Sequence, residues 1–216
     1  YRKGDVFPVL LEYIPYRKDE SRGRNYPLYS YFLDNNYIVA RVDIRGTGNS
    51  EGKVIPNEYS DIELDDGEKV IEWLANQSWS NGNVGMFGIS WGGFNSIQMS
   101  MRNPPALKAF VAVMATEYLY EEDVHYIDGI MVAGDSWMMS NDLYNSLPGA
   151  PDFIMDEQWY EDRFDVEPSV YKYMRQQRDG PFWDRASAKN KYHLIRVPGY
   201  HIAVSYTHLT LPTNHP

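Results

Sequence analysis

The sequence predicts an α/β fold in which a mostly parallel sheet carries helices on both faces. Strand-like and helix-like segments alternate through residues 1–115, and strands that are separated by helices pair in parallel. Hydrophobic residues make up 43% of the 216-residue chain and aromatic residues 15%, which is enough for a sizeable core. This length fits one large domain or one domain that carries an inserted subdomain.

Each element of the alternating part follows from its own pattern of apolar residues. Apolar runs predict strands at 8–14, 37–44, 84–87 and 109–114, and the segments between them predict helices at 26–35, 60–76 and 94–101. The last of these helices ends before Pro104, because proline cannot continue a helix. Within 60–76 we expect one apolar face and one charged, solvated face. The apolar face holds Ile62, Val70, Ile71 and Leu74, and the charged face holds Glu63, Asp65, Glu68 and Glu72.

The alternating pattern stops after Met114. Residues 116–192 lack strand-like runs and are rich in acidic and aromatic residues, with helical stretches predicted at 121–130 and 168–178. We interpret this segment as a helical cap inserted over the sheet, although a set of ordinary peripheral helices fits the pattern equally well. A core strand at 194–202 then resumes within 193–203, where we expect the sheet to end with an unpaired edge. Residues 204–216 are expected to add nothing to the core.

Charge and composition exclude several classes of partner. The net charge is −10 and no basic stripe is present, which argues against a nucleic-acid partner. No apolar run of about 18 residues is present, so we expect no membrane partner. The absence of cysteine excludes disulfides and thiol catalysis. We expect a soluble protein, with the cytoplasm favoured, and composition does not indicate an oligomeric state.

The segment Gly88-Ile89-Ser90-Trp91-Gly92 has the pattern G-x-S-x-G in the context that gives this pattern meaning. A short apolar strand precedes it and a helix follows it, so the serine lies on a tight strand-to-helix turn. Small residues must stand two positions before and two after the serine, because larger side chains would collide there. The serine hydroxyl then projects above the sheet, next to backbone N–H groups that can stabilise an oxyanion. Ser90 is therefore the candidate nucleophile.

Two other segments contain residues typical of ligand sites, one for a dinucleotide and one for a metal, but their spacing fits neither ligand. The glycine loop at 45–52 follows a strand, yet its glycine spacing is wrong for a dinucleotide site and no helix begins promptly after it. The acidic residues at 121–123 and His125 lack a known metal-ligand spacing, and a solvated helix face explains them better. We therefore expect no cofactor and no metal.

Several longer segments resemble one family. They are "PVLLEYIPYRKD", "VARVDIRGTGNSEG", "IEWLANQSWSNGNVGMFGISWGG", "NPPALKAFVAV", "EDVHYIDG" and "QQRDGPFWDRAS". In this order, between about residues 8 and 202, they resemble the cocaine esterase / X-Pro dipeptidyl-peptidase family of α/β-hydrolases, the CocE/NonD-type serine hydrolases. The resemblance implies an α/β-hydrolase core with a helical cap, and a small-molecule ester or peptide as substrate.

The resemblance also implies roles for individual residues. Ser90 matches the nucleophile, the backbone N–H of Trp91 matches one oxyanion donor, and the hydroxyl of Tyr16 matches the second. A phenol just past the carboxyl end of a strand is a reasonable donor to a developing negative charge, although packing alone also explains a tyrosine there. Asp43 and Arg45 are expected to fix the loop after their strand rather than to touch substrate.

The two remaining members of a catalytic triad are not found where the family has them. The family carboxylate is expected near position 207, which is Thr207, and His208 and His215 follow too closely to be the family histidine. The ending "SYTHLTLPTN" resembles adapter-derived sequence, so we interpret the chain as C-terminally truncated, with a non-native tail at 204–216, and as inactive in this form. Dipeptidyl peptidases, acyl esterases and amino-acid ester hydrolases share the motifs above, and acidic cap residues suit an α-amino group as well as they suit solvent. A non-catalytic fragment or binding protein of the same fold is the alternative.

Overall fold

The computed structural model describes residues 4–20, 25–123, 125–131, 135–203 and 212–213. A six-stranded sheet forms its centre. In spatial order its strands are β2 (Ile38–Asp43), β1 (Phe7–Ile14), β3 (Ser80–Ile89), β4 (Leu107–Val113), β7 (Gly199–Ile202) and β8 (Pro212–Thr213). All pairs from β2 to β7 are parallel, and only β8 runs antiparallel to its neighbour. The mostly parallel sheet predicted from the alternating pattern is confirmed.

Helices cover both faces of this sheet. They are α1 (Tyr26–Asp34), α2 (Asp61–Ala75) and α3 (Trp91–Arg102), which connect the core strands. Tyr29 of α1 packs edge-to-face on Phe87 of β3. On the other side, α2 lies close to Tyr13 of β1 and Met99 of α3: a Cβ on Gly67 would lie 3.2 Å from the Tyr13 ring and from the Met99 methyl group. Because Tyr13 and Phe87 point to opposite sides of the pleat, α1 lies on one face and α2 and α3 lie on the other.

The strand register brings the carboxyl ends of three strands to one edge. Ile89 at the end of β3 is opposite Val113 at the end of β4, and Val113 is opposite Ile202 at the end of β7. Sites in parallel α/β sheets lie at this edge of the strands. Ser90 follows Ile89 directly and therefore stands there.

The segment between β4 and β7 contains several helices and also a hairpin. Its elements are β5 (Tyr126–Ile127), β6 (Ile130–Met131), α4 (Asp135–Ser146), α5 (Glu157–Trp159), a π-helical turn (Tyr160–Phe164), α6 (Ser169–Arg175), α7 (Pro181–Asp184) and a 3₁₀ turn (Tyr192–Leu194). The helix predicted at 121–130 is wrong, because β5 and β6 form an antiparallel hairpin there. Asp128 and Gly129 make the turn, with φ of 51° and 74°. The helix predicted at 168–178 is confirmed as the shorter α6.

The two ends of this segment meet. The backbone N–H of Ala188 donates to the carbonyl of Glu117 at 2.7 Å, which closes the segment like a stem. The strand predicted at 194–202 forms only from Gly199 onward. The prediction that the sheet ends there is wrong, because β8 pairs with Gly199 and Tyr200. Residues 204–211 and 214–216 of the expected tail lie outside the described residues.

None of the described helices is long and apolar enough to cross a lipid bilayer.

Candidate active site

Ser90 occupies a strained turn between β3 and α3. Its backbone has φ of 55° and ψ of −120°, a conformation that residues other than glycine rarely adopt. The N–H of Ser90 donates to the Val113 carbonyl at 2.8 Å, and the Ser90 carbonyl accepts from the N–H of Phe94 at 2.9 Å. The neighbouring strand and the first turn of the helix thus hold both sides of the strained peptide. This is the geometry that the G-x-S-x-G pattern predicts.

The glycines of the motif are required by close backbone approach. A Cβ on Gly88 would lie 2.6 Å from both the Cα and the carbonyl carbon of Gly92. A Cβ on Gly93 would lie 2.9 Å from the Val113 carbonyl oxygen and from the Ala115 methyl group. The turn can therefore close only because the residues two before and three after the serine lack side chains.

The two oxyanion donors implied by the resemblance lie side by side. Tyr16 follows the carboxyl end of β1, and its hydroxyl oxygen accepts a hydrogen bond from the Trp91 backbone N–H at 3.4 Å. Trp91 is the first residue of α3, so its N–H points out of the helix N-terminus, where no carbonyl of the helix can accept it. Residues 16 and 91, far apart in the chain, thus meet beside Ser90. Their part in catalysis stays a prediction.

A buried carboxyl group lies behind Trp91. The indole N–H of Trp91 donates to Oε1 of Glu63 at 2.7 Å, and the backbone N–H of Tyr59 donates to Oε2 of the same residue at 2.7 Å. Burial raises the pKa of Glu63 to about 7, and the hydrogen bonds that it accepts oppose the rise. The prediction that Glu63 faces solvent is wrong: it is 0% exposed, whereas Ile62, predicted to face the core, is 43% exposed. The helix is rotated toward Glu63 because two N–H donors satisfy its carboxyl group there.

Asp43 and Arg45 fix their loop, as expected. The Asp43 carboxylate accepts from the backbone N–H groups of Lys18 at 2.7 Å and Asn49 at 3.1 Å, and burial raises its pKa. Arg45 makes a two-pronged hydrogen bond with Asp66 of α2, at 2.6 and 2.9 Å. Both side chains therefore make hydrogen bonds to neighbouring core elements.

The glycine loop at 45–52 is a docking surface for the inserted segment. Arg163 donates to the Gly48 carbonyl at 2.9 Å and to the Ser50 carbonyl at 2.7 Å. The same guanidinium group reaches the Ser146 carbonyl of α4 at 3.2 Å. One half-buried arginine thus donates to backbone carbonyls that have no helix or strand partner, and these hydrogen bonds hold the inserted segment against the core.

A cavity of about 90 Å³ lies between Trp91 and the inserted segment. Apolar side chains from both parts line it, among them Ile55, Met139, Leu143 and Val166. Polar groups also reach it, including the carboxyl groups of Glu58 and Asp142. Burial raises the pKa of Asp142 to about 6. An apolar cavity with a few polar residues is a typical small-molecule site, and Trp91, the residue after Ser90, lines this one.

The acidic cluster is not a solvated helix face, which corrects the interpretation from sequence. Glu121 and Glu122 are exposed, but Asp123 and His125 are buried at the hairpin. His125 Nε2 lies 2.9 Å from both carboxyl oxygens of Glu58. Burial alone would lower the pKa of His125, but the Glu58 carboxylate raises it to about 9. Ligand atoms of Glu58, Asp123 and His125 lie within 4.8 Å of one another, close enough for a metal ion, yet the ion pair already accounts for this arrangement.

No residue that the structure describes makes a hydrogen bond with Ser90 Oγ. The positions at which a carboxylate and a histidine were sought from the sequence, Thr207, His208 and His215, lie outside the described residues. Sequence reasoning also missed Glu63, which contacts Trp91 28 residues away, and Arg163, which contacts Ser50 113 residues away in the chain.

Comparison with known proteins identifies the family of the chain. Residues 2–208 match the family of X-Pro dipeptidyl-peptidases (S15 family). The cocaine esterase of Rhodococcus sp. (strain MB1 Bresler) is 34% identical over 115 residues, which cover 52% of this chain and 20% of that protein. A putative Xaa-Pro dipeptidyl-peptidase of Streptomyces avermitilis is 28% identical over 170 residues, which cover 63% of this chain and 25% of that protein.

Solved structures share the fold. A CocE/NonD family hydrolase from Staphylococcus aureus superposes with a TM-score of 0.68 at 24% identity, covering 91% of this chain and 36% of that one. An α-amino acid ester hydrolase gives a TM-score of 0.68 at 20% identity, covering 92% and 38%. The chain thus spans no more than 25% of the two sequence relatives and 38% of these two structures. The α/β-hydrolase fold and the resemblance noted in the sequence are confirmed, and the chain belongs to the X-Pro dipeptidyl-peptidase (S15) family.

Proposed function

We propose that this chain carries the nucleophile and the oxyanion donors of a serine hydrolase that cleaves an ester or amide bond through an acyl-enzyme on Ser90. The family is one of hydrolases, and the proposal adds the mechanism and the residues. The observation that supports it is the juxtaposition of three groups: the strained Ser90, the Trp91 backbone N–H at the start of α3, and the Tyr16 hydroxyl, which accepts from that N–H at 3.4 Å.

The chemistry follows from these positions. Ser90 Oγ bonds to the substrate carbonyl carbon and gives its proton to a base, which we assign to a histidine outside the described residues. The negative charge that develops on the carbonyl oxygen accepts hydrogen bonds from the Trp91 N–H and the Tyr16 hydroxyl. The C–O or C–N bond then breaks, the alcohol or amine leaves with the proton, and water later releases the acid from Ser90.

Labelling with a fluorophosphonate tests the nucleophile directly. Such a probe phosphonylates an activated serine, so we expect one labelled peptide, containing Ser90, in the full-length protein. Ser90→Ala should abolish the labelling and turnover without lowering the melting temperature. The matched control is Ser78→Ala, which changes an exposed serine in the turn before β3. Labelling that persists in Ser90→Ala would refute the assignment.

The substrate class needs a separate comparison. The relatives carry the names of an esterase and of a dipeptidyl peptidase, and the carboxyl groups of Glu58 and Asp142 beside the cavity suit a substrate with a free amine. We therefore expect the full-length protein to cleave Ala-Pro-p-nitroanilide and to lose this activity when the substrate is N-acetylated. Cleavage of p-nitrophenyl esters alone would assign it to the esterases instead.

A further inference from the structure

Glu63 lies in the first turn of α2, a helix that contributes nothing else to the candidate active site. It is 0% exposed, and within the described residues it forms no ion pair. A carboxyl group withdrawn from water is costly unless each oxygen finds a donor. The hydrogen-bond donors of Glu63 therefore indicate its role.

The two oxygens of Glu63 hold two different segments. Oε1 accepts from the Trp91 indole and Oε2 accepts from the backbone N–H of Tyr59, both at 2.7 Å. Because each donor meets a different oxygen, only a side chain with two acceptor atoms keeps both hydrogen bonds in this arrangement. Glutamine would offer one acceptor and would turn its NH₂ group toward the other donor. The geometry thus calls for a carboxyl group and not merely for a polar side chain.

Tyr59 is itself strained and is held from several sides. Its φ is 54°, in the left-handed region that bulky residues rarely occupy, although the residue is only 4% exposed. While Glu63 holds its N–H, Arg185 donates to its carbonyl at 2.8 Å. Its ring stacks on Phe94 of α3 with centroids 5.0 Å apart and meets the Trp91 indole edge-on at 5.6 Å. Strained residues of this kind persist only where their surroundings fix them, and they concentrate at functional sites.

We propose that Glu63 is a positioning residue for the oxyanion site. By holding the Trp91 indole and, through Tyr59, the surface on which that indole packs, it fixes the orientation of the whole Trp91 residue. The backbone N–H that points toward the Tyr16 hydroxyl belongs to that same residue. Loss of the carboxyl group lets the first turn of α3 rotate and turns this N–H away from the carbonyl oxygen of the substrate. The inference rests on the proposed function, because it assigns to Glu63 a part in the same reaction.

The test combines two substitutions in the full-length protein. Glu63→Gln removes one acceptor, and Trp91→Phe replaces the indole by a smaller ring without a donor while keeping the backbone N–H. For a p-nitrophenyl ester we expect each to lower kcat at least about tenfold, with KM changed less than about twofold, because the donor acts on the transition state. The double variant should be no slower than the slower single variant, since both substitutions act on the same hydrogen bond, the one between Glu63 and Trp91. Glu72→Gln, on the exposed side of the same helix, is the matched control and should keep wild-type kcat.

A readout independent of activity accompanies the kinetics. The indole N–H resonance of Trp91, identified by its loss in Trp91→Phe, should move in Glu63→Gln and stay in place in Glu72→Gln. A kcat within about twofold of wild type in Trp91→Phe, an unmoved resonance, or singles whose effects multiply in the double variant would each overturn the inference. If the wild-type protein shows no Ser90-dependent turnover, the proposed function fails instead, while the resonance still reports on the Glu63 contact.

Discussion

Replacing Gly88 with alanine tests whether the elbow depends on backbone contact. The added methyl carbon would lie 2.6 Å from two carbons of Gly92 and 2.9 Å from its carbonyl oxygen. Carbon atoms in ordinary contact are about 3.5–4.0 Å apart, so the shortfall is about 1 Å. All three atoms belong to the backbone, and the start of α3 must therefore move by about that distance relative to β3.

The size of the effect follows from this displacement. Overpacking costs about 1–3 kcal/mol, and we expect about 3 kcal/mol here because no side chain can rotate away. In a domain of this size, that loss of unfolding free energy lowers the melting temperature by about 6–12 °C. Ser90 lies between the two glycines, and a displacement of about 1 Å in a catalytic group costs about 10²-fold in rate, so phosphonylation should slow by that factor.

Gly85→Ala provides the matched control within β3. The nearest atom to its added methyl carbon is Cδ2 of Leu10 at 3.1 Å, the end of a flexible side chain. The control should melt within about 4 °C of wild type and label at the wild-type rate, because the side chain can move and alanine restricts the unfolded chain. Thermal melting and the rate of fluorophosphonate labelling measure both effects. Equal melting temperatures and equal labelling rates for Gly88→Ala and Gly85→Ala would refute the reasoning.

Three further predictions concern groups around the elbow. Tyr16→Phe in the full-length protein should lower kcat about 10²–10³-fold with little change in KM, the usual cost of one lost oxyanion donor; a kcat within about threefold of wild type would leave Tyr16 a packing role. Arg163→Met keeps the aliphatic stem but leaves the loop carbonyls without their donor, so limited proteolysis of the inserted segment should be faster than in wild type; the exposed Arg175→Met is the control, and equal digestion rates would contradict the docking role. The raised pKa of His125 stabilises the fold fully below about pH 6.5 and loses this contribution as pH rises through about 9. The melting temperature should therefore fall more steeply over this range in wild type than in His125→Gln, and parallel curves would show that the pair with Glu58 adds no stability.

The core could be predicted from the sequence because each of its strands is a local apolar run. The first and last residues of the strands and helices were harder to predict. β3 begins at Ser80, four positions before the apolar run that predicts it, because Ser80 pairs with Phe7 of β1 ahead of a register shift although it is not buried. The hairpin at Tyr126–Met131 had a signal, since Asp-Gly is a strong sign of a tight turn, but the acidic residues before it suggested a helix.

The residues of the candidate site also differ in how far the local sequence predicts them. Ser90 and its glycines are visible because the chemistry of the turn is contained in a few consecutive residues. Glu63 is not, since its burial depends on a donor 28 residues away and nothing in the helical period distinguishes it from its exposed neighbours. Arg163 was equally hidden, because it contacts main-chain carbonyls, which every sequence supplies.

The stem between Glu117 and Ala188 has a consequence for how this fold can change. Parallel neighbours such as β4 and β7 cannot be joined by a tight turn and need a crossover, which is usually a single helix. Here the whole segment between β4 and β7 is that crossover, and the hydrogen bond from Ala188 to Glu117 holds its two ends together. Its contents can therefore be exchanged between proteins without disturbing strand order, provided that something long enough replaces them. Such an exchange leaves the strand-to-helix turn at Ser90 unchanged.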